Sequence, residues 1–368
     1  MHLIEYIKSN GLDSLKEDLG IKIREYAGGL SVFNYYQINS PKTHPVVMEC
    51  RGVALDEDLN IIRRPFDRFF NLGEAECSQP DIDWESSYVY EKPDGTLMIL
   101  YYWQGDWHVG TRGTAFGENG VGTSGITFVG LFEKALGVGS PVEMQEACGE
   151  LDKDFTYMFE LTSPHNRVVT PYESTSITLI GKRHTQSGEY ADINEEKGIE
   201  GVKIAKRYPL GSPEGVLEAA KSLPPMEEGY VVYNSLMQPV VKVKNPAYVA
   251  LHRIRGNGIK NSPRSVAELV VLREDQEYLS YFPEDREIID KAANAWIWLY
   301  KDAQSLYEKY KDVESQKEFA LSVKVSPMSS VLFNARKEGK TFPEALGDMP
   351  LNFKVKVLLE NWDIDKQE

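Results

Sequence analysis

The chain has only three cysteines, Cys50, Cys77 and Cys148, among 368 residues. They are too few and too scattered for a disulfide framework or a zinc site, which points to a reducing cytoplasm. No apolar run approaches the ~20 residues that span a bilayer. The start, Met1-His2-Leu3-Ile4-Glu5, has neither the charged beginning nor the apolar stretch of a signal peptide. The six histidines show no His-x-x-x-His or similar ligand spacing, and no Gly-x-Ser-x-Gly elbow offers a serine nucleophile. Positive charge is also scarce: 41 Lys and Arg against 56 Asp and Glu leave a net charge of −15. That balance argues against a protein that coats nucleic acid with one broad basic face.

The shortage is uneven. Residues 1–245 carry 23 basic against 36 acidic side chains, whereas residues 246–368 carry 18 against 20. At the junction Arg253, Arg255, Lys260 and Arg264 follow one another with no acidic residue between them. Such a cluster suits a local groove for a phosphate backbone, or simply a solvated linker. Its sequence patterning changes at the same place. From about 30 to 245 the chain reads mainly as strands, including 87–91, 97–103, 107–111, 156–161, 176–182, 229–233 and 240–244. Gln104-Gly105-Asp106 reads as a hairpin turn, and the Gly-, Thr- and Ser-rich stretch 110–125, which lacks Gly-Lys-Ser/Thr, as a mobile loop. After Pro246 helical spacing takes over at 266–280, 285–311, 314–323 and 352–362. Residues 1–20 read as an amphipathic helix interrupted near Gly11.

The residues with the most chemistry begin at Lys92-Pro93-Asp94-Gly95-Thr96. A lysine before a tight Asp-Gly turn is common hairpin chemistry, but Lys-x-Asp-Gly is also the loop of a lysine that takes up a nucleoside monophosphate. An amine must be neutral to attack phosphorus, and a free lysine titrates near ~10.4. The catalytic reading therefore requires burial or further basic groups aimed at one point. In Val240-Val241-Lys242-Val243-Lys244 the period of two places Lys242 and Lys244 on one strand face and Val241 and Val243 on the other. Those lysines suit a triphosphate, or equally the protection of an edge strand. Glu228 precedes the neighbouring strand, and Glu160 ends another. Arg51 beside Gly52 suits close approach of a phosphate or ribose, or an ordinary turn. In 64–71 arginines alternate with aromatics, which fits a phosphate contact or snorkelling over a core.

Taken in order, Glu-Cys-Arg-Gly, Arg-Pro-x-x-Arg-Phe-Phe-Asn-Leu, Lys92-x-Asp94-Gly95, Phe159-Glu160, Asn166-Arg167-Val168-Val169, Ser187-Gly188-Glu189-Tyr190, Glu228-Gly229-Tyr230-Val231 and Lys242-x-Lys244 resemble the motifs of the RNA ligase 1 family of T-even bacteriophage. The resemblance covers roughly residues 30 to 255. It implies an α+β chain: an antiparallel-sheet nucleotidyltransferase domain over 1–250, then an all-helical domain over 251–368 that selects the RNA. It also implies an ATP-dependent ligase that joins 5′-phosphate and 3′-hydroxyl RNA ends through a lysyl-adenylate on Lys92, as a monomer engaged in RNA or tRNA repair. Tyr35 and Arg51 would contact ATP, with Arg68 where the family usually has a lysine, a planar fork in place of a point charge. Glu160 would bind ribose, Glu228 would sit near magnesium (or manganese), and Lys242 and Lys244 would grip the phosphates. Arg112 and Tyr248, with Arg253 and Arg255, would meet RNA, and Asp275 and Glu277 would supply a second acidic metal position.

Two other readings compete. A DNA ligase or capping-type nucleotidyltransferase would carry a strand-rich oligonucleotide-binding barrel after Lys244, where this sequence reads helical. A ligase-fold RNA-binding or assembly factor would keep the architecture without the reaction.

Overall fold

The computed structural model describes residues 1–36, 39–74, 82–121, 125–166, 170–195, 199–249, 263–281 and 285–362. The chain divides into two compact units. The first comprises Met1–Leu12, Ile21–Tyr35 and Lys42–His252, and the second Asp13–Gly20, Tyr36–Pro41 and Arg253–Glu368. The helix His2–Glu17 contributes to both and is broken at Gly11, whose φ of 83° leaves the helical region.

Three sheets build the first unit. One is antiparallel, with strands in the order Ile21–Tyr26, Leu30–Tyr35, Arg51–Leu55 and Ile61–Arg63. A second runs Tyr190–Ala191, Ser176–His184, Phe155–Thr162, Thr96–Trp103 and Asp106–Thr111, and Lys203–Ile204 joins it by parallel pairing to Ser176–His184. The third runs Arg207–Tyr208, Tyr88–Glu91, Gly229–Tyr233, Pro239–Lys244 and Phe70–Asn71.

Alternation of side chains explains how the sheets stack. Tyr90, Val231 and Tyr233 of the third sheet share a core with Met158 of the second, and Leu97 and Ile180 pack against it. Val89, Val232, Val241 and Val243 turn the other way, onto Val216 and Ala220 of the helix Pro213–Lys221. Removing each such side chain from water is worth roughly 1.5–3 kcal/mol, which fixes the register, because a slip by one residue would exchange the faces. Phe155–Thr162 is buried almost throughout, since the helix Phe128–Leu136 covers its sheet on the side away from the third sheet, with Phe132 edge-on to Phe159 at 5.4 Å.

Several expectations need correcting. The strand Pro239–Lys244 is interior, flanked by Gly229–Tyr233 and by Phe70–Asn71, so its lysines do not guard an edge. The region read as strands also holds helices at Phe128–Leu136, Pro141–Ala147 and Pro213–Lys221. Part of 110–125, read as a mobile loop, is packed into the fold. Thr114 and Ala115 are fully buried, and Arg63 donates to the carbonyls of Gly52 (2.8 Å) and Thr114 (2.9 Å).

The second unit is helical. Its described residues from Pro263 onward contain helices and turns but no strand, which is not the barrel a DNA ligase or capping enzyme would need. The expected helix over 266–280 is two, Pro263–Leu272 and Asp275–Tyr281, parted where Arg273 takes a φ of 60°. Arg286–Tyr310 packs Ile289, Trp296, Leu299 and Ala303 inward. Ser329–Glu338 and Phe342–Asp348 were not visible as periodicity, although Thr341 and Glu344 form a capping box for the latter. Among the described residues no helix is long and apolar enough to cross a membrane.

Candidate active site

Lys92 follows the last residue of Tyr88–Glu91, and its backbone N–H donates to the carbonyl of Gly229 at 2.9 Å. That bond continues the ladder with Gly229–Tyr233 and brings residues 92 and 228 together. The Lys92 Nζ donates to Glu228 Oε2 at 2.6 Å, and Lys244 Nζ lies 3.1 Å from Glu228 Oε1. Glu228 is 6% exposed, so its charge requires the partners it has. Gly229 makes the approach possible: a Cβ there would lie 2.1 Å from the Val243 carbonyl oxygen. The sequence predicts cations converging on the nucleophile; the structure adds a carboxylate between two of them.

The Asp-Gly turn is anchored from three directions. Asp94 is buried, and its carboxylate accepts from the Tyr248 hydroxyl and from the Thr170 N–H, both at 2.8 Å. Its own N–H donates to the Tyr172 hydroxyl at 3.2 Å. Tyr248, expected at an RNA surface, is buried here; burial first, then the Glu228 and Asp94 carboxylates, push its hydroxyl pKa well up, so it acts as a donor. Its geometry is that of a brace on the nucleophile loop. Sequence reasoning overlooked Thr170 and Tyr172 altogether, since nothing local marks them as partners of a residue more than seventy positions away.

Glu160 lies behind the same loop and accepts from the Gly95 N–H at 3.0 Å. Burial is the main cause that raises its pKa to about 7, opposed by Lys92 and reinforced by Glu228. An acid raised in the folded state stabilises the fold below its unfolded value near 4.5 and loses that contribution as pH rises to about 7. Wild type is therefore expected to lose on the order of 3 kcal/mol relative to Glu160→Gln between pH 4.5 and 7.5. Urea unfolding of both proteins across that range checks this, and parallel stability profiles would contradict it.

Beside the loop, Arg51, Phe66, Phe69, Lys92, Leu97, Glu160, Ile180, Val231, Tyr233 and Lys242 line a pocket between the second and third sheets. Ile180 falls where the ladder between Phe155–Thr162 and Ser176–His184 shifts register, a bulge that sequence periodicity cannot show. Lys242 Nζ stands 4.7 Å from the centre of the Phe69 ring, and the Arg51 guanidinium 5.8 Å from it. Further along, Arg112 donates to the Tyr35 hydroxyl at 3.2 Å, and Arg68 stacks over its ring at 4.5 Å. Burial pushes the Tyr35 hydroxyl up, but Arg112, Arg51 and Arg68 outweigh it and hold its pKa below the ordinary tyrosine value. Arg112, expected on the RNA, thus shares one cluster with the residues expected on ATP. The segment bearing Arg68 is held by a bidentate pair that sequence reasoning missed, Arg183 to Asp67 at 2.9 and 2.8 Å. Arg64 instead serves the turn at Gln186, whose carbonyl it meets at 3.3 Å.

The donor set fits a nucleotide. The buried Nη1 of Arg51 makes no hydrogen bond among the described residues, and Arg51 lines a pocket in which apolar side chains stand beside Lys92, Glu160 and Lys242. No group of three His, Cys, Asp or Glu side chains that would hold a metal occurs among the described residues. Glu160 and Glu228 do interact with one another beside Lys92, and magnesium needs only one or two carboxylates when phosphate oxygens and water complete its shell. Asp275 and Glu277 stand in the first turn of Asp275–Tyr281 in the second unit, where buried Asp275 accepts from the Gln276 amide. Arg253, Arg255, Lys260 and Arg167 lie outside the described residues.

Two sheets closing on a lysine-bearing pocket make this a nucleotidyltransferase domain. The chain belongs to the RNA ligase family of the T4 RNA ligase 1 type, whose family model matches residues 49–248, more than half of its length. It is similar to a putative bifunctional polynucleotide kinase/RNA ligase of Autographa californica nuclear polyhedrosis virus, 33% identical over 308 residues that cover 80% of this chain and 44% of that protein. It is also similar to an RNA ligase of Rhodothermus phage RM378, 24% identical over 384 residues covering 86% of this chain and 85% of the relative. The chain thus spans less than half of the first relative and most of the second. Among solved structures, an archaeal ATP-dependent RNA ligase aligns with a TM-score of 0.47 and 14% identity, over 92% of this chain and 82% of that one.

Proposed function

We propose that the chain is an ATP-dependent RNA ligase that joins 5′-phosphate to 3′-hydroxyl ends, in RNA or tRNA repair. The observation that carries this reading is the Lys92–Glu228–Lys244 cluster, whose Lys92 lines the pocket. In the first step the neutral Lys92 amine attacks the α-phosphorus of ATP. A nitrogen–phosphorus bond forms, the bond to pyrophosphate breaks, and the proton leaves toward Glu228, the carboxylate hydrogen-bonded to Nζ. Lys242 and Lys244 offset the charge that develops on the phosphates. In the second step an RNA 5′-phosphate oxygen attacks the lysyl-adenylate and regenerates the Lys92 amine. In the third, a 3′-hydroxyl attacks the adenylated 5′-phosphate, the phosphodiester forms and AMP leaves. Magnesium or manganese, when bound, supplies positive charge at the α-phosphate, and Glu160 and Glu228 are the carboxylates that would hold it. Arg51, Arg68 and Arg112 around Tyr35 would hold the outer phosphates.

The test is circularisation of a 5′-phosphorylated oligoribonucleotide. With ATP and a divalent cation, circles are expected, whereas oligodeoxyribonucleotide joins poorly. RNA binding without adenylate transfer would support the assembly-factor alternative instead.

A further inference from the structure

Residues 203–208 cross from one sheet to the other at the rim of the pocket. Lys203 and Ile204 pair with Thr178 and Leu179 in the second sheet, and Arg207 and Tyr208 pair with Tyr90 and Val89 in the third. In between, the Ala205 N–H donates to the Leu179 carbonyl, the Lys206 N–H to Glu91 Oε1 and the Glu91 N–H to the Lys206 carbonyl, each at 2.9 Å. Glu91, the neighbour of Lys92, lines the pocket on one side and Ile180 on the other. The crossing segment is therefore tied by hydrogen bonds to the residue next to the nucleophile.

Ile204, Ala205 and Tyr208 pack into the cores, but the segment's basic side chains do not. Lys203, Lys206 and Arg207 are exposed, and none makes an ion pair among the described residues. By contrast, Lys92 and Lys244 pair with Glu228, and Arg183 pairs with Asp67. Three uncompensated cations within five residues are conspicuous in a stretch, 1–245, with 36 acidic against 23 basic side chains. Aromatic faces accompany them: the Arg207 guanidinium lies 3.8 Å from the centre of the Tyr88 ring, and Lys206 Nζ 4.9 Å from that of Tyr208. At about 3.3 Å per residue the cations span roughly 13 Å.

We propose that the Lys203–Tyr208 rim is a track for single-stranded RNA that guides an RNA end to Lys92. This rests on the ligase reading of the pocket. Cations with no carboxylate partner can give their charge to phosphates, and aromatic rings beside them offer stacking faces to bases of any sequence. The track accounts for how an acidic chain holds a polyanion: the basic charge is concentrated where the reacting end must arrive. The rival account is that these lysines keep the short edge strand Arg207–Tyr208 from pairing with another sheet.

The test compares the full chain with K203Q/K206Q/R207Q. Self-adenylation with ATP and magnesium, in the absence of RNA, should stay within twofold, which also shows that the variant is folded. The Kd for a fluorescent 5′-phosphorylated oligoribonucleotide should rise at least tenfold, and the slope of log affinity against log salt should become shallower by about 2. An unchanged Kd and salt slope would overturn the track, and self-association of the variant in that case would assign the lysines to edge protection. A wild type that binds RNA through the rim yet never forms an adenylate would instead overturn the ligase reading and leave the track intact.

Discussion

Lys92→Arg should form no covalent adenylate. Arginine keeps the positive charge, so Glu228 retains both of its cationic partners, but a guanidinium stays protonated and has no lone pair to offer phosphorus. The fold should therefore survive while the first step falls by on the order of 10⁴-fold or more. Labelled ATP followed by denaturing electrophoresis measures this, with thermal unfolding as the control. Sealing of RNA supplied with its 5′ end already adenylated should persist in part, because the amine acts only before that intermediate exists. Adenylate formation by Lys92→Arg within tenfold of wild type would remove Lys92 from the reaction.

Gly95→Ala should also be damaging, for a steric reason. A Cβ on residue 95 would lie 2.2 Å from the carbonyl oxygen of Leu161 and 2.9 Å from its carbonyl carbon. Those are backbone atoms of Phe155–Thr162, a strand paired on both sides, so they cannot step aside. The loop must move instead. That stretches the Gly95 N–H bond to Glu160 and displaces Lys92 in the pocket wall. A displacement of about 1 Å typically costs on the order of 10²-fold in rate. Single-turnover adenylation should fall by at least that factor, with a smaller change in the apparent affinity for ATP. A variant within twofold of wild type would show that the close packing of the loop on the strand is dispensable.

These two residues mark what was legible in the sequence. Lys92 and Gly95 belong to one local string, and Lys242 and Lys244 follow from the strand period, so the lysines of the site could be placed on their elements in advance. The face they share was also legible: Val241 and Val243 are buried while the lysines are half-buried. The braces were not. Tyr248 meets Asp94 across 154 positions and Arg183 meets Asp67 across 116, and such pairs exist only once the sheets have assembled. The bulge at Ile180 and the crossing at 203–208 depend on ladder register, which composition does not encode. The missed helices are a different matter. Ser140-Pro141 and Ser212-Pro213 are N-cap signals present in the sequence, and both serines do cap their helices. Those helices run for only 7 and 9 residues, too short for periodicity alone to reveal.

The account stands most directly on the identity of the adenylated residue. The protein should be incubated with ATP and magnesium, digested and mapped by mass spectrometry. A mass increase of one adenylate confined to the peptide containing Lys92, and discharged on addition of 5′-phosphorylated RNA, is the predicted result. An adenylate on Lys242, Lys244 or any other residue, or none at all, would contradict it.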